Sequence, residues 1–504
     1  MTFYLPFQSY LTQYPSKYAA LYHALRDAMI TDKLTLHTKL PSSREMAAML
    51  HLSRGTVNQV YDMLIAEGYL QGDVGRGTYV VYANGQDKQK AVAGKAIELS
   101  TWGMRLTESR QVERAEGEGG SGKKSDTKSD TKSVDQKQMI AFAVARPQLE
   151  AFPREQWNRV MYEQVRRMTE SPQEDAHIAE GHYALREAIA LHLRRMRGID
   201  AQPERIVIVN GSMQAIALLT QLLVNPGDPV VLERPGYQGA SRAVLAAGGV
   251  PVHAAVDGQG LIPQPWNARL LFVTPSRQFP TGAVLGLERR QLLLRWAAEQ
   301  GAVIVEDDYD SEFRHRGRPI EPLKVLDQEG RVVYIGTFSK TMLQDLRIGY
   351  VVLPEALHDA FTAAKRLYEP HPTGLLEQRS LAAFMASGGY ERHLRRMRRV
   401  YASKFLLLQA LLQEGLSTLF EWVDSDSGLH VFGWWRGDPA TYAAYAAACR
   451  EAGVAWTDAA SYNLPAGRAG ACFGYAHLTE EELRLGVARM RVVFEGMLAS
   501  LDLN

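Results

Sequence analysis

Residues Thr337-Phe338-Ser339-Lys340 follow the short apolar run Val332–Ile335, and Arg347 stands a little further on. A lone lysine is ordinarily a solvated surface charge. This one leaves the C-terminal end of an expected buried strand, where open α/β sheets place their ligands. A lysine amine beside a carbonyl compound can form a Schiff base, and neighbouring hydroxyls with a following guanidinium suit a phosphate. Pyridoxal phosphate meets both descriptions, and its remaining needs can be sought one at a time.

Its phosphate needs backbone donors at a helix N-terminus. Asn210-Gly211-Ser212-Met213 lies where the run Ile206–Val209 gives way to a helical pattern, offering exposed N–H groups and the Ser212 hydroxyl. Its pyridine nitrogen needs an anion to stay protonated, and Glu306-Asp307-Asp308-Tyr309-Asp310 closes another apolar run. A carboxylate there would favour the pyridinium, with Tyr309 placed to bond the ring's 3-oxygen. An aromatic face for the ring is offered by Tyr237 in Pro235-Gly236-Tyr237. Read singly, each feature is weak, because acid clusters often cap surfaces and most tyrosines are packed. Their strength lies in recurring at the ends of successive strands.

The elements that must position these residues are legible as an alternation. Ile206–Val209, Val230–Glu233, Leu270–Thr274, Val303–Glu306 and Val332–Ile335 are short apolar runs, with helical stretches such as Met213–Val224 and Glu288–Glu299 between them. That pattern predicts an α/β domain with a mainly parallel sheet covered by helices on both faces. A long helical tract follows Tyr350, including Tyr390–Leu412 with its cluster RHLRRMRR, and a smaller α+β part runs from about Leu416 to the end.

The N-terminal stretch is a different object. Tyr18, Leu21, Tyr22, Leu25 and Met29 recur at helical spacing; Ser42 and Glu45 form a capping box for a second helix. Ser53 caps a third helix, whose expected buried face is Val57, Val60, Tyr61, Leu64 and Ile65, and Gly68 ends it. Two short strands around Gly75-Arg76-Gly77 complete an α+β winged helix-turn-helix over 13–82. The third helix would put Arg54, Thr56, Asn58 and Gln59 away from its core. Arg54 and Asn58 suit bases in a DNA major groove, Ser53 and Thr56 suit phosphates, Arg44 suits backbone phosphate, and Arg76 on the wing suits phosphate or a minor groove. Residues 1–82 carry seven Lys+Arg against six Asp+Glu, so this unit alone should bind weakly, and a dimer on double-stranded operator DNA is implied.

Between these units, 83–138 reads as a flexible linker. Residues 111–138 are Gly, Ser, Lys, Asp and Glu with the tetrapeptide SDTK in tandem, too little to bury to offset ordering entropy. Ile97–Leu106 is an expected short docked strand within it. With 504 residues and a 46% hydrophobic fraction the chain has ample core. No apolar run approaches the ~18 residues of a membrane helix, and the N-terminus lacks a secretory pattern. Cys449 and Cys472 are too few for a disulfide scaffold or a cysteine zinc site. The expectation is a cytoplasmic protein with no metal.

The wording LPSSREMA, LSRGTVNQVYDML and AEGYLQGDVGRGTYV resembles the GntR family of winged-helix regulators. ERPGYQG, TPSRQFPTG, EDDYDSEFR, YIGTFSKTMLQDLRIGYVVLP and FGYAHLTEEEL resemble a fold-type I aminotransferase, and most closely the MocR/GabR regulators that join the two. The resemblance implies an aminotransferase-like effector and dimerisation domain over 139–504 and a head-to-tail homodimer. It implies Lys340 in the Schiff base, Asp307 on the pyridine nitrogen, Tyr309 on the 3-oxygen and Tyr237 stacked on the ring. Gly211, Ser212, Met213, Thr337, Ser339 and Arg347 would surround the phosphate.

Departures bear on the effector. TPSRQ carries Arg277 where the family usually has histidine, and Ser-Met-Gln replaces Ser-Gln-Gln at 212–214. The arginine that grips a substrate carboxylate two residues before the late Gly-Tyr-Ala is Cys472 here. Arg468 and Arg277 are the alternative carboxylate partners. Without such a partner, amino-acid binding and transamination should both be poor, leaving at most weak aminotransferase-like activity. Pyridoxal phosphate itself then becomes the expected effector, with control of vitamin B6 synthesis its corollary. An amino acid or amine sensed through the cofactor, and a working aminotransferase with an accessory DNA-binding module, are the alternatives.

Overall fold

The computed structural model describes residues 5–73, 77–82, 99–107, 139–144, 146–170, 179–315 and 320–501. Arg76 and most of the 83–138 stretch lie outside them. The chain divides into two compact units, Met1–Glu98 and Leu99–Asn504.

In the first unit, helix α1 (Phe7–Gln13) precedes α2 (Lys17–Ile30), strand β1 (Lys39–Leu40), α3 (Ser43–Leu50), α4 (Arg54–Ala66), β2 (Leu70–Asp73) and β3 (Gly77–Val80). Each of the three main helices begins at a serine that satisfies an otherwise orphaned amide. Ser16 accepts from the Ala19 amide, and Ser42 and Glu45 complete the reciprocal box. Ser53 accepts from the Thr56 amide at 3.0 Å, and the two hydroxyls are 2.8 Å apart. The Tyr61 hydroxyl donates to the Pro41 carbonyl at 2.8 Å, tying α4 to the approach of α3. Val57, Val60, Tyr61 and Leu64 are buried as expected. Ile65 is exposed, because a fifth apolar residue at that spacing falls beyond the stripe a single helix face can bury. The three strands pair in the order β1-β3-β2, so the wing has a third strand that two residues of sequence could not signal.

In the second unit, residues 101–107 form helix α5, not the expected strand; Arg105 donates to the Ala246 carbonyl. Then come β4 (Ile140–Phe142), α6 (Arg154–Glu170), α7 (Tyr183–Arg197), β5 (Ile206–Val209), α8 (Ser212–Leu223), β6 (Pro229–Arg234) and α9 (Gln238–Ala247). After these lie β7 (Val250–Asp257), β8 (Gly260–Leu261), β9 (Leu270–Val273), α10 (Leu287–Gln300), β10 (Val303–Asp308), α11 (Leu323–Leu326), β11 (Val332–Thr337) and β12 (Gly349–Val352). The chain closes with α12 (Glu355–Tyr368), α13 (Leu375–Ala386), α14 (Gly389–Leu416), β13 (Phe420–Trp422), β14 (His430–Trp435), α15 (Pro439–Glu451), β15 (Val454–Asp458), β16 (Gly470–Gly474) and α16 (Glu480–Leu501).

The large sheet is ordered β5-β12-β11-β10-β9-β6-β7-β8. Its centre is parallel, as the continuous apolar runs require. β12 runs antiparallel between β11 and β5, which keeps the parallel sense of β5 and β11 but separates them by one strand. Separate apolar clusters flank the sheet, one including Val209, Leu232, Val305 and Ile335 and another including Val231, Leu271, Ile304 and Val332. Alternate residues of each strand therefore face opposite layers. The smaller sheet, ordered β13-β14-β16-β15-β4, includes a strand from before α6, so distant segments share one layer.

Candidate functional site

The ends of β5, β6, β9, β10 and β11 converge on a cavity of about 400 Å³. All ten residues expected to hold the cofactor line it: Lys340, Asp307, Tyr309, Tyr237, Gly211, Ser212, Met213, Thr337, Ser339 and Arg347. Their placement follows from strand geometry. β11 delivers Thr337 at its last position, and the tight passage after it presents Ser339 and Lys340. The Thr337 hydroxyl donates to the Ser339 hydroxyl at 3.1 Å and accepts from the Ser339 amide at 3.2 Å, so the loop is braced from inside.

Gly211, at φ +86°, begins α8 and leaves its first amides open toward the cavity. Arg347 donates to the Asn210 carbonyl at 3.3 Å, bringing a guanidinium over that helix start. With the Ser212 and Ser339 hydroxyls this makes a donor-rich basin suited to a phosphate.

The run Glu306–Asp310 sorts itself by partners. Glu306 accepts from the Leu323 and Lys324 amides and holds α11. Asp308 is ion-paired with Arg197 at 2.5 Å and accepts from the Tyr334 hydroxyl. Asp310 pairs with Arg277. Asp307 is the carboxylate of the run that lines the cavity, and its Oδ1 is shut off from water with no hydrogen-bond partner. Burial, then the charge of Asp308, pushes its carboxyl up to about 7. A buried carboxylate in this state calls for a cation, and a pyridinium N–H supplies one. Burial likewise lowers the Lys340 amine, against the opposing pull of Asp310 and Asp307, which favours the uncharged nucleophile. The residues present therefore fit pyridoxal phosphate at both its anionic and its cationic end.

Sequence reasoning missed much of the far wall. Val144, Phe279, Thr457 and Tyr462 line it, with Thr274 and Gln344 nearby. The Phe279 ring meets the edges or faces of Tyr237, Tyr309, His430 and Tyr462, with centroids between 4.8 and 6.1 Å apart. Phe279 sits in a motif already singled out, TPSRQFPTG, and was the one retrievable from sequence. Val144, Thr457 and Tyr462 come from distant segments with no local signature.

Neither alternative carboxylate arginine lines the cavity. Arg468 is exposed, with its guanidinium 3.9 Å from the centre of the Trp434 ring, because the loop before β16 carries it outward. Arg277 is buried and its donors are committed to Ser427, Tyr309, Asp310 and His430. Cys472 is buried in β16 among Phe432, Trp434 and Ala459. In the first unit, Arg44, Ser53, Arg54 and Asn58 are exposed and Thr56 is half-buried, its hydroxyl engaged at the cap of α4.

Comparison with known proteins agrees with this architecture. Residues 17–80 match the gntR family of bacterial regulatory proteins, and residues 174–490 match aminotransferase class I and II. The probable rhizopine catabolism regulatory protein MocR of Rhizobium meliloti is 38% identical over 82% of this chain and 80% of its own length. The pyridoxine biosynthesis transcriptional regulator PdxR of Corynebacterium glutamicum is 29% identical over 79% of each. Among solved structures, the α-aminoadipate aminotransferase LysN of Thermus thermophilus, complexed with N-(5'-phosphopyridoxyl)-L-leucine, superposes with a TM-score of 0.64 at 28% identity, covering 72% of this chain and 94% of that one. The chain belongs to the MocR-type transcription regulators, in which a GntR helix-turn-helix domain is joined to an aminotransferase class I and II domain.

Proposed function

We propose that this regulator binds operator DNA as a homodimer and senses pyridoxal phosphate itself. Pyridoxal phosphate is the cofactor of the aminotransferase-like domain, and when bound it supplies an electrophilic carbon and an electron sink. Lys340 provides the amine for that carbon. Asp307 holds a proton on the pyridine nitrogen, Tyr309 donates toward the 3-oxygen, and Tyr237 covers the ring. Gly211, Ser212, Met213, Thr337, Ser339 and Arg347 enclose the phosphate.

The observation that carries the effector reading is the composition of the far wall. Among the described lining residues, Lys340 and Arg347 are the cations, and both serve the cofactor end. Val144, Phe279, Thr457 and Tyr462 offer no cation for a carboxylate. An ordinary amino acid would bury its carboxylate there without a counter-charge, at a cost of several kcal/mol. The similarity to a regulator named for pyridoxine biosynthesis supports the same direction, and control of vitamin B6 synthesis in the cytoplasm follows from it. The domain plan under this reading is 13–82 for DNA, 83–138 as linker and 139–504 for cofactor binding and head-to-tail dimerisation.

Arg44, Ser53, Arg54, Thr56 and Asn58 would face DNA, with Arg76, which lies outside the described residues, at the wing. Cofactor binding alters DNA engagement only through its differential affinity for two arrangements of the dimer. A second reading, an amine sensed through the cofactor, is favoured by the apolar character of Phe279 and Val144. The test is DNA binding by cofactor-stripped protein on the fragment upstream of its own gene. A large change in affinity or footprint on adding pyridoxal phosphate alone supports the first reading. Cofactor binding that leaves DNA binding unmoved, followed by a response to an added amine, replaces it with the second.

A further inference from the structure

Arg277 lies outside the cavity wall, yet every direction of its guanidinium is specified. Its Nε donates to the Ser427 carbonyl at 2.9 Å and its Nη2 to the His430 carbonyl at 2.8 Å. Its Nη1 donates to the Tyr309 hydroxyl at 2.9 Å and to Asp310 Oδ2 at 3.3 Å. The fit is close enough that a Cβ on Gly428 would stand 2.2 Å from Nε. His430 is held from its other side by the Pro280 carbonyl, at 2.8 Å from Nε2.

A guanidinium has donors and no acceptor, whereas a phenol has one proton and an accepting oxygen. At the 2.9 Å contact, Arg277 must therefore donate and Tyr309 accept. The phenol proton is then left to point elsewhere, and Tyr309 borders the cavity. We propose that Arg277 is a positioning residue that fixes the Tyr309 hydroxyl as a polarised hydrogen-bond donor into the cavity, aimed at an anionic oxygen of the ligand. This rests on the cofactor reading, in which that oxygen is the ring 3-oxygen.

The surroundings agree. Burial raises the Tyr309 phenol well above its ordinary range, so its proton stays on. Burial opposes charge on Arg277, and Tyr309 and Asp310 outweigh it, so the cation persists. Asp310, His315, His430, Tyr475, Cys472, Asp307 and Lys340 are the other titratable groups around the pair. A donor backed by a permanent cation stabilises negative charge on the oxygen it meets. The deprotonated form of the lysine-bound cofactor carries more charge there, so Arg277 lowers the pH at which the chromophore loses its proton.

The experiment is an absorbance titration of the full chain loaded with pyridoxal phosphate, in the wild type and in Arg277→Gln, Arg277→Lys, Tyr309→Phe and the Arg277→Gln/Tyr309→Phe double variant. Borohydride reduction with peptide mapping identifies the attached lysine in each. Arg277→Gln is expected to raise the midpoint by about one unit, and Arg277→Lys by less. In the Tyr309→Phe background the Arg277 substitution should add almost nothing, because its route is gone. If Arg277→Gln does not fold, the lysine variant carries the same test. Unmoved midpoints with attachment intact overturn the proposal alone, as does an Arg277 effect that adds in full to Tyr309→Phe. Absence of attachment at Lys340 in the wild type overturns the cofactor reading and the proposal with it.

Discussion

The Arg347 guanidinium occupies space that any side chain at Gly211 would need: a Cβ there would stand 2.7 Å from Nη2. The glycine also holds φ +86°, so two independent constraints meet at the start of α8. Replacing Gly211 by Ala forces the backbone out of an extended positive-φ conformation that essentially only glycine adopts, at about 1–3 kcal/mol, or displaces Arg347. Pyridoxal phosphate affinity should fall about tenfold or more, with the helical content unchanged. Fluorescence titration of stripped protein with the cofactor measures it. Unaltered affinity would remove this pair from the phosphate site.

Lys340→Ala should abolish the absorbance band of the lysine-bound cofactor while the far-ultraviolet circular dichroism stays that of the wild type. Lys340 sits in a loop braced by Thr337 and Ser339, so its loss costs little packing. A band that survives the substitution means another lysine is the nucleophile.

Asp307 gives a pH signature in the cofactor-free protein. Its carboxyl titrates near 7 in the folded chain against about 3.9 when unfolded. Between those values the folded state binds the extra proton, so stability falls as pH rises. Glu233, Glu306 and Glu312, also pushed to about 7 chiefly by burial, act in the same direction. The stripped protein should melt at a lower temperature at pH 8 than at pH 6, and Asp307→Asn should flatten part of that slope. Loading the cofactor should flatten it too, by giving the carboxylate a cation. An equally steep slope in Asp307→Asn would assign the effect to the other three acids.

In the first unit, Arg54→Ala should weaken operator binding by about 1–3 kcal/mol, and Arg44→Ala should reduce affinity and the salt dependence together. Both are exposed, so neither change should alter cofactor absorbance. Fluorescence anisotropy on the upstream fragment at two salt concentrations separates the two roles. Unchanged affinity in either variant takes that arginine out of the interface.

Ser42→Ala removes one half of the capping box and leaves the Glu45 amide without its acceptor. The first unit should lose about 1 kcal/mol of stability, with DNA affinity at low temperature retained. Thermal melting of the full chain, followed by proteolysis of the N-terminal unit, detects it.

How far the sequence speaks depends on whether a property is local. The strand ends that carry Gly211, Tyr237, Asp307 and Lys340 were legible because apolar runs and turn residues are set by neighbours a few positions away. The serine caps of α2, α3 and α4 were legible for the same reason. β1 and β12 were not, since β1 takes its identity from pairing with β3 and β12 from insertion between β11 and the distant β5. Ile65 shows the limit in the other direction: its spacing is helical, but the face is already filled.

The sequence by itself determined the two-unit plan and the helical and strand alternation through short-range periodicity, and the resemblance its motifs carry pointed to ten residues that line the cavity. Tertiary structure decided that Asp307 is the carboxylate of Glu306–Asp310 that lines the cavity, with its Oδ1 unbonded, and that Arg277 turns into the core toward Tyr309 while Arg468 turns out onto Trp434. It also brought Val144, Phe279, Thr457 and Tyr462 to one wall. Those outcomes depend on which hydrogen-bond partners and rings become neighbours across more than a hundred residues of chain, and that is settled only when the sheets and helices pack.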